Sequence, residues 1–147
     1  MKPHLSIQMT GLDGDLAGII VSAANTDFGG RAEAYVSRSE LIRLANHLDT
    51  FPSSISDSVQ IDGGEPGSSW GHFSARFYCF DSSGHTAIRV GLQPKLATLH
   101  RKEEVDQLWV EICVEANQFN AFSKQLLAVT KSGEGEARLV GRGRYAG

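Results

Sequence analysis

Five histidines, two cysteines and seventeen carboxylates are the residues of this chain most able to do chemistry, and their spacing selects very little of it. His4, His47, His72, His85 and His100 are dispersed. No HxH or HExxH pair occurs among them, so metal catalysis gains no support. No spacing picks two of the carboxylates for acid–base work. Asp13-Gly14-Asp15 opens like a calcium loop but lacks the later ligand positions and the closing glutamate, and it reads as a turn. GxSxG, Walker and GxGxxG motifs are absent. Cys79 and Cys113 sit in strand-like runs, far from metal-ligand spacing, and are expected to be two buried thiols. Cys79 and His85 would make a nucleophile and base only if they shared a face. Strand alternation puts them on opposite faces. The sequence therefore nominates no catalytic residue, no metal site and no cofactor.

The elements that must position the remaining polar and aromatic residues are easier to read. His4 to Thr10 alternates Leu5, Ile7 and Met9 as a strand; after the turn at 13–15, Leu16 to Asn25 resumes as a second. Phe28-Gly29-Gly30 is another turn, followed by a strand over Arg31–Val36. Ser37-Arg38-Ser39-Glu40 fits a capping box, in which a serine oxygen accepts an amide of the first turn and Glu40 reaches back. Leu41, Leu44, Ala45 and Leu48 then predict an amphipathic helix over 38–49, which Phe51-Pro52 stops. A short strand is expected near 57–62, then a mobile loop over Gly63–Gly71 holding Glu65, Pro66 and Trp70. The connection 93–104 has a basic tip at His100-Arg101-Lys102. Val105 to Ala116 reads as a strand, and Asn117 is expected to cap a helix over 118–130 with Phe119, Phe122, Leu126 and Val129 on one face.

The segment Phe73–Leu92 is the best-defined of these, a β-hairpin turning at Asp81-Ser82-Ser83-Gly84. Two registers compete. With Phe80 opposite His85, Phe77 meets Ile88, Ala75 meets Val90 and Phe73 meets Leu92, which gathers the apolar residues on one face; a slip of one residue scatters them. The first register is therefore expected. It puts Leu108, Val110, Ile112 and Val114 of the next strand on the inner face, and sends Arg76, Tyr78, Arg89, Trp109, Glu111 and Glu115 outward. Arg76 then lies opposite Arg89, a repulsive pair that the glutamates of the neighbouring strand would relieve. The ordinary reading of such a face is a solvated ladder of ions around two aromatics. The sharper one is a partner-binding surface, because Tyr, Trp and Arg dominate interface hot spots. Trp70 is weighed similarly: in its Gly–Ser context a large aromatic is more commonly a plug beneath the loop than an exposed anchor. Exposed, it would form a small acidic, aromatic contact site with Asp62, Glu65 and His72.

At 147 residues one domain is expected, placed at residues 1–130, with 131–147 as a mobile tail that has little to bury. The fold expected is α+β: a twisted antiparallel sheet of about six strands, with the helices near 38–49 and 118–130 packed on one face. Lys131, Arg138, Arg142 and Arg144 against Glu134 and Glu136 give the tail +2, so the overall −3 leaves −5 for residues 1–130. An acidic body argues against nucleic acid as a partner and is compatible with a basic protein. The longest apolar run, Leu16–Ala24, is interrupted by Gly18 and Ser22 and falls short of the roughly 20 residues of a membrane span. Without a signal-peptide pattern at the N-terminus, a cytoplasmic location is expected.

The order of these elements carries a resemblance. A strand runs into a helix bearing Glu40-Leu41, Leu44 and Leu48; a loop leads to the strand–turn–strand Phe80-Asp81 through Gly84-His85-Thr86-Ala87-Ile88-Arg89-Val90; a further strand enters a helix through Asn117-Gln118-Phe119-Asn120-Ala121-Phe122-Ser123-Lys124-Gln125-Leu126. In this layout the chain resembles, over roughly residues 28–130, the bacterial WapI-type immunity proteins. The resemblance implies a non-enzymatic protein that binds a toxin domain and blocks its active site. Two other readings stay open: a small-ligand or enzymatic cleft between sheet and helices with Trp70, His72 and His85 at its mouth, and a homo-oligomer joined through the outer sheet face or a strand edge.

Overall fold

The computed structural model describes residues 2–65, 70–96 and 101–144, and within them the alternating runs become eight strands and two helices. In chain order these are β1 (His4–Asp13), β2 (Leu16–Ala24), β3 (Gly29–Ser37), α1 (Arg38–Leu48), β4 (Ser58–Gly63), β5 (His72–Cys79), β6 (Thr86–Gln93), β7 (Leu108–Val114), α2 (Phe119–Ser132) and β8 (Glu136–Val140). Pro66 and His100 lie outside the described residues. No helix among the described residues is long and apolar enough to cross a membrane.

The strands do not form one sheet of six. They divide into two antiparallel sheets of four, in the orders β3-β2-β1-β8 and β4-β5-β6-β7. Their inner faces share one core: Leu5, Ile7, Ile19 and Val21 from the first sheet, and Ile61, Phe73, Phe77, Ile88, Val90 and Ile112 from the second. The helices bridge the two sheets rather than lying on one face of a single sheet. α1 packs on β3 and β4, α2 on β1 and β8, and the helices pack on each other. Leu41, Leu44 and Leu48 from α1 and Phe119, Phe122 and Leu126 from α2 are fully buried between them. Phe119 meets Phe51 edge-on at 5.1 Å and Phe77 at 6.0 Å, the geometry aromatic rings prefer. The buried Ser123 hydroxyl donates to the Ala45 carbonyl at 2.6 Å and fixes the helix pair in register.

Strand β3, at the edge of the first sheet, lies across the end of the second. Gly71 permits this: a Cβ there would fall 1.8 Å from the Glu33 carbonyl oxygen. Gly64 N–H donates to the Tyr35 carbonyl at 3.1 Å and ties the end of β4 to the same strand.

The expected capping box at Ser37–Glu40 does not form. The helix start is held instead by Asp15, at the tip of the β1–β2 turn: Oδ1 accepts from Ser39 N at 3.2 Å, and Oδ2 from the Ser37 hydroxyl at 2.7 Å. Glu40 pairs with Arg43 at 2.6 Å. Nor does Asn117 cap the second helix; Ala116–Gln118 make a 3₁₀ turn that leads directly into α2, with no side-chain cap at its N-terminus.

The segment expected to be a tail is structural through residue 142. Its first residues finish α2, and β8 pairs along β1 from His4↔Val140 to Gln8↔Glu136, with Ala137 and Leu139 buried. The chain then crosses to the second sheet, where Arg142 N–H donates to the Cys113 carbonyl at 2.8 Å and its guanidinium meets Glu115 at 2.7 Å. Leu139 and Ala137 are the only apolar inward residues of β8, too few for a local pattern to reveal.

Candidate functional site

The hairpin register is the one its side chains favour. β5 and β6 pair from His72↔Gln93 to Cys79↔Thr86, with Phe77↔Ile88 and Arg76↔Arg89, and Phe80 N–H donates to the His85 carbonyl at 2.9 Å. β4 adds Gln60 opposite Arg76 and Asp62 opposite Ser74; β7 adds Glu111 opposite Arg89 and Trp109 opposite Gly91. The outer face of this sheet therefore carries a row Gln60–Arg76–Arg89–Glu111, flanked by Tyr78 on one side and Trp109 on the other.

Backbone and side-chain contacts hold these groups in place. The Arg76 guanidinium lies 4.5 Å from the centre of the Tyr78 ring, and that of Arg89 lies 5.5 Å from the Trp109 ring. Such cation–π contacts hold the charge near the ring and leave its N–H groups available to an oxygen acceptor. Trp109 lies flat because residue 91 is glycine; a Cβ there would come within 2.6 Å of the ring. The Tyr78 hydroxyl donates to Glu111. Burial of the phenol, and then the carboxylate beside it, push the Tyr78 pKa far above its ordinary value, so this donor stays protonated. Asp62 accepts from Gln60 Nε2 at 3.1 Å. The expected relief of the arginine pair by direct glutamate pairing is not what forms. Among the described residues neither Arg76 nor Arg89 has a carboxylate within ion-pair distance, because Glu111 is held by Tyr78 and Glu115 by Arg142.

Both arginines are exposed, Trp109 is 46% exposed, and Tyr78 and Glu111 are half-buried. Five of the sequence-nominated residues, Arg76, Tyr78, Arg89, Trp109 and Glu111, thus form one surface, with Asp62 at its margin and Glu115 beyond its end.

The contact site expected around Trp70 is not assembled as a group. Trp70 is no plug, being 59% exposed, but His72 is buried, and Asp62 lies opposite Ser74 at the margin of the outer sheet face. Trp70 and Glu65 border a concavity with Tyr35 instead. An adjoining hollow of about 90 Å³ is lined by Thr10, Glu33, Tyr35, Trp70 and Lys95, with the Lys95 ammonium 4.8 Å above the Trp70 ring. Tyr35 was missed, although the alternation Ala32, Ala34, Val36 already sends it outward.

Other candidate groups lie apart. His72 opens β5, whereas His85 follows its end, roughly 24 Å away at strand rise. His85 binds Asp81 at 2.6 Å within the hairpin turn. Cys113 is buried and Cys79 only partly so; burial raises the pKa of both thiols, which makes them poor nucleophiles. Among the described residues no three His, Cys, Asp or Glu side chains converge as a metal site. No protein-family model matches the chain, and no curated protein matches its sequence.

Proposed function

We propose that the protein is a non-enzymatic binding protein whose contact surface is the outer face of the β4–β7 sheet, and that it acts as an immunity protein against a toxin domain. The observation that carries this reading is the Arg76–Tyr78–Arg89–Trp109–Glu111 surface: aromatic and arginine side chains, pre-ordered by stacking on a rigid sheet and not covered by either helix. Residues of these types held in one orientation lose little entropy on binding, which favours them as anchors. The dispersal of His72, His85 and the two thiols supports a binding role over a catalytic one.

Strand edges that are each engaged at one point favour binding through a face rather than an edge. Each outer strand has a backbone group taken from outside its sheet: Gln60 O by Arg43 of α1, Arg138 N by Gln125 of α2, Tyr35 O by Gly64, and Glu111 O by Asn25.

The immunity role requires a large secreted protein encoded directly upstream, and the test uses the full chain with the C-terminal domain of that protein. The two are expected to co-elute as a complex, with Trp109→Ala weakening it by at least about 2 kcal/mol, the size of a hot-spot loss. A complex unaffected by both Trp109→Ala and Arg89→Ala would refute the surface, and a gene with no such neighbour would refute the immunity role.

A further inference from the structure

The body of the chain is acidic, yet the centre of the proposed surface offers cationic donors. Resting on the reading that this face binds a protein, we infer that Arg76 and Arg89 together grip side-chain carboxylates of the partner, so that the partner meets this acidic protein with an acidic segment. The assignment follows from which groups already have hydrogen-bond partners. Both carboxylates on the face accept a hydrogen from a neutral neighbour, Glu111 from Tyr78 and Asp62 from Gln60. Neither guanidinium is engaged by a carboxylate among the described residues; each lies over an aromatic ring, a contact that uses none of its strong N–H donors on an oxygen acceptor.

Cross-strand neighbours in an antiparallel sheet stand about 4.5–5.5 Å apart. Two cationic side chains rooted that close together repel, and a carboxylate entering between them relieves the repulsion while accepting charge-assisted hydrogen bonds from both. A basic segment would instead have to displace Tyr78 or Gln60 and bring a third cation beside two. Trp109 and Tyr78 on either side supply apolar walls for the methylenes of a glutamate.

The test places a Trp70→Phe substitution in the full chain, so that Trp109 is the sole tryptophan and its emission reports on the face. The probes are a blocked hexaglutamate peptide, its hexaglutamine counterpart, hexathymidylate and inorganic phosphate. Hexaglutamate is expected to give a saturable change that weakens with added salt, while hexaglutamine gives none. Arg76→Gln or Arg89→Gln should each weaken binding about tenfold, the loss of one charge-assisted contact. Glu111→Gln, which removes a competing charge and keeps an acceptor for Tyr78, should strengthen it severalfold; this gain does not depend on an arginine variant folding well. Retained binding in the double variant Arg76→Gln/Arg89→Gln, no response to hexaglutamate, or tighter binding of hexathymidylate or phosphate would overturn the inference. If hexaglutamate fails while Trp109→Ala still abolishes partner capture, the protein-binding reading stands and only its acidic chemistry falls.

Discussion

Asp57 shows how much one side chain outside the candidate surface contributes to the fold. Its side chain is only 13% exposed, and it accepts from His47 Nε2 at 2.8 Å, from Ser53 N at 2.9 Å and from the Ser53 hydroxyl at 3.2 Å. Burial alone would raise its pKa. The Ser53 amide, the His47 contact and the Ser53 hydroxyl outweigh that and hold it below the ordinary 3.8. A carboxylate with a depressed folded pKa contributes fully above its unfolded value, and the contribution is lost as pH falls through the folded value. Asp57→Asn is therefore expected to cost about 1–2 kcal/mol at pH 7. Urea midpoints of the two proteins should converge as pH falls below 3.8; a gap that persists unchanged to the lowest pH would contradict the linkage. None of this was legible in the sequence, because His47 and Asp57 belong to a helix and a loop whose approach depends on tertiary packing. Arg76, Tyr78 and Arg89 were legible, since strand period and register alone decide which way they point.

At the scale of elements, the β1–β2 turn and α1 form one unit. The carboxylate of Asp15 lies below its ordinary pKa chiefly through the Ser37 hydroxyl, against some burial, with the Ser39 amide and hydroxyl and Arg38 adding to it. Its backbone carbonyl also accepts from Arg38 N at 2.6 Å. Removing this carboxylate leaves the Ser39 amide without its acceptor. Asp15→Ala should lower the thermal midpoint and speed hydrogen exchange at Ser39, while Glu40→Ala should leave that exchange nearly unchanged. Equal effects would restore the local capping box to its expected role. The helix itself was readable from Leu41, Leu44, Ala45 and Leu48. Its cap was not, because the capping residue comes from a strand pair 24 positions earlier, where no sequence rule looks.

For the whole molecule, the partition into two sheets is the part that local patterns could not convey. Leu5-x-Ile7-x-Met9 and Phe73-x-Ala75-x-Phe77 alternate in the same way, and neither says which strands will be neighbours. What arranges the sheets is long-range: the close approach of Gly71 to Glu33, which brings them together, and β8 closing the free side of β1. Ending the chain after Ser132 should consequently cost at least about 3 kcal/mol, from the lost burial of Leu139 and Ala137 and the lost strand pairing. It should also expose the second edge of β1 to other chains. Urea denaturation together with light scattering checks both; a monomer of unchanged stability would mean that β8 is dispensable.

The pairing of β1 with β8 also sets an order of events. Ser6 and Glu136, joined by a 2.8 Å hydrogen bond, are 130 residues apart. During synthesis β1 emerges before the other seven strands and both helices, and it keeps one side open until β8 appears after all of them. Pairing across so long a loop is slow, since closure entropy must be met before the contact returns anything. Until β8 is made, the nascent chain therefore holds an unfinished sheet, with the open side of β1 as the place where crowded polysomes would join one chain to the next.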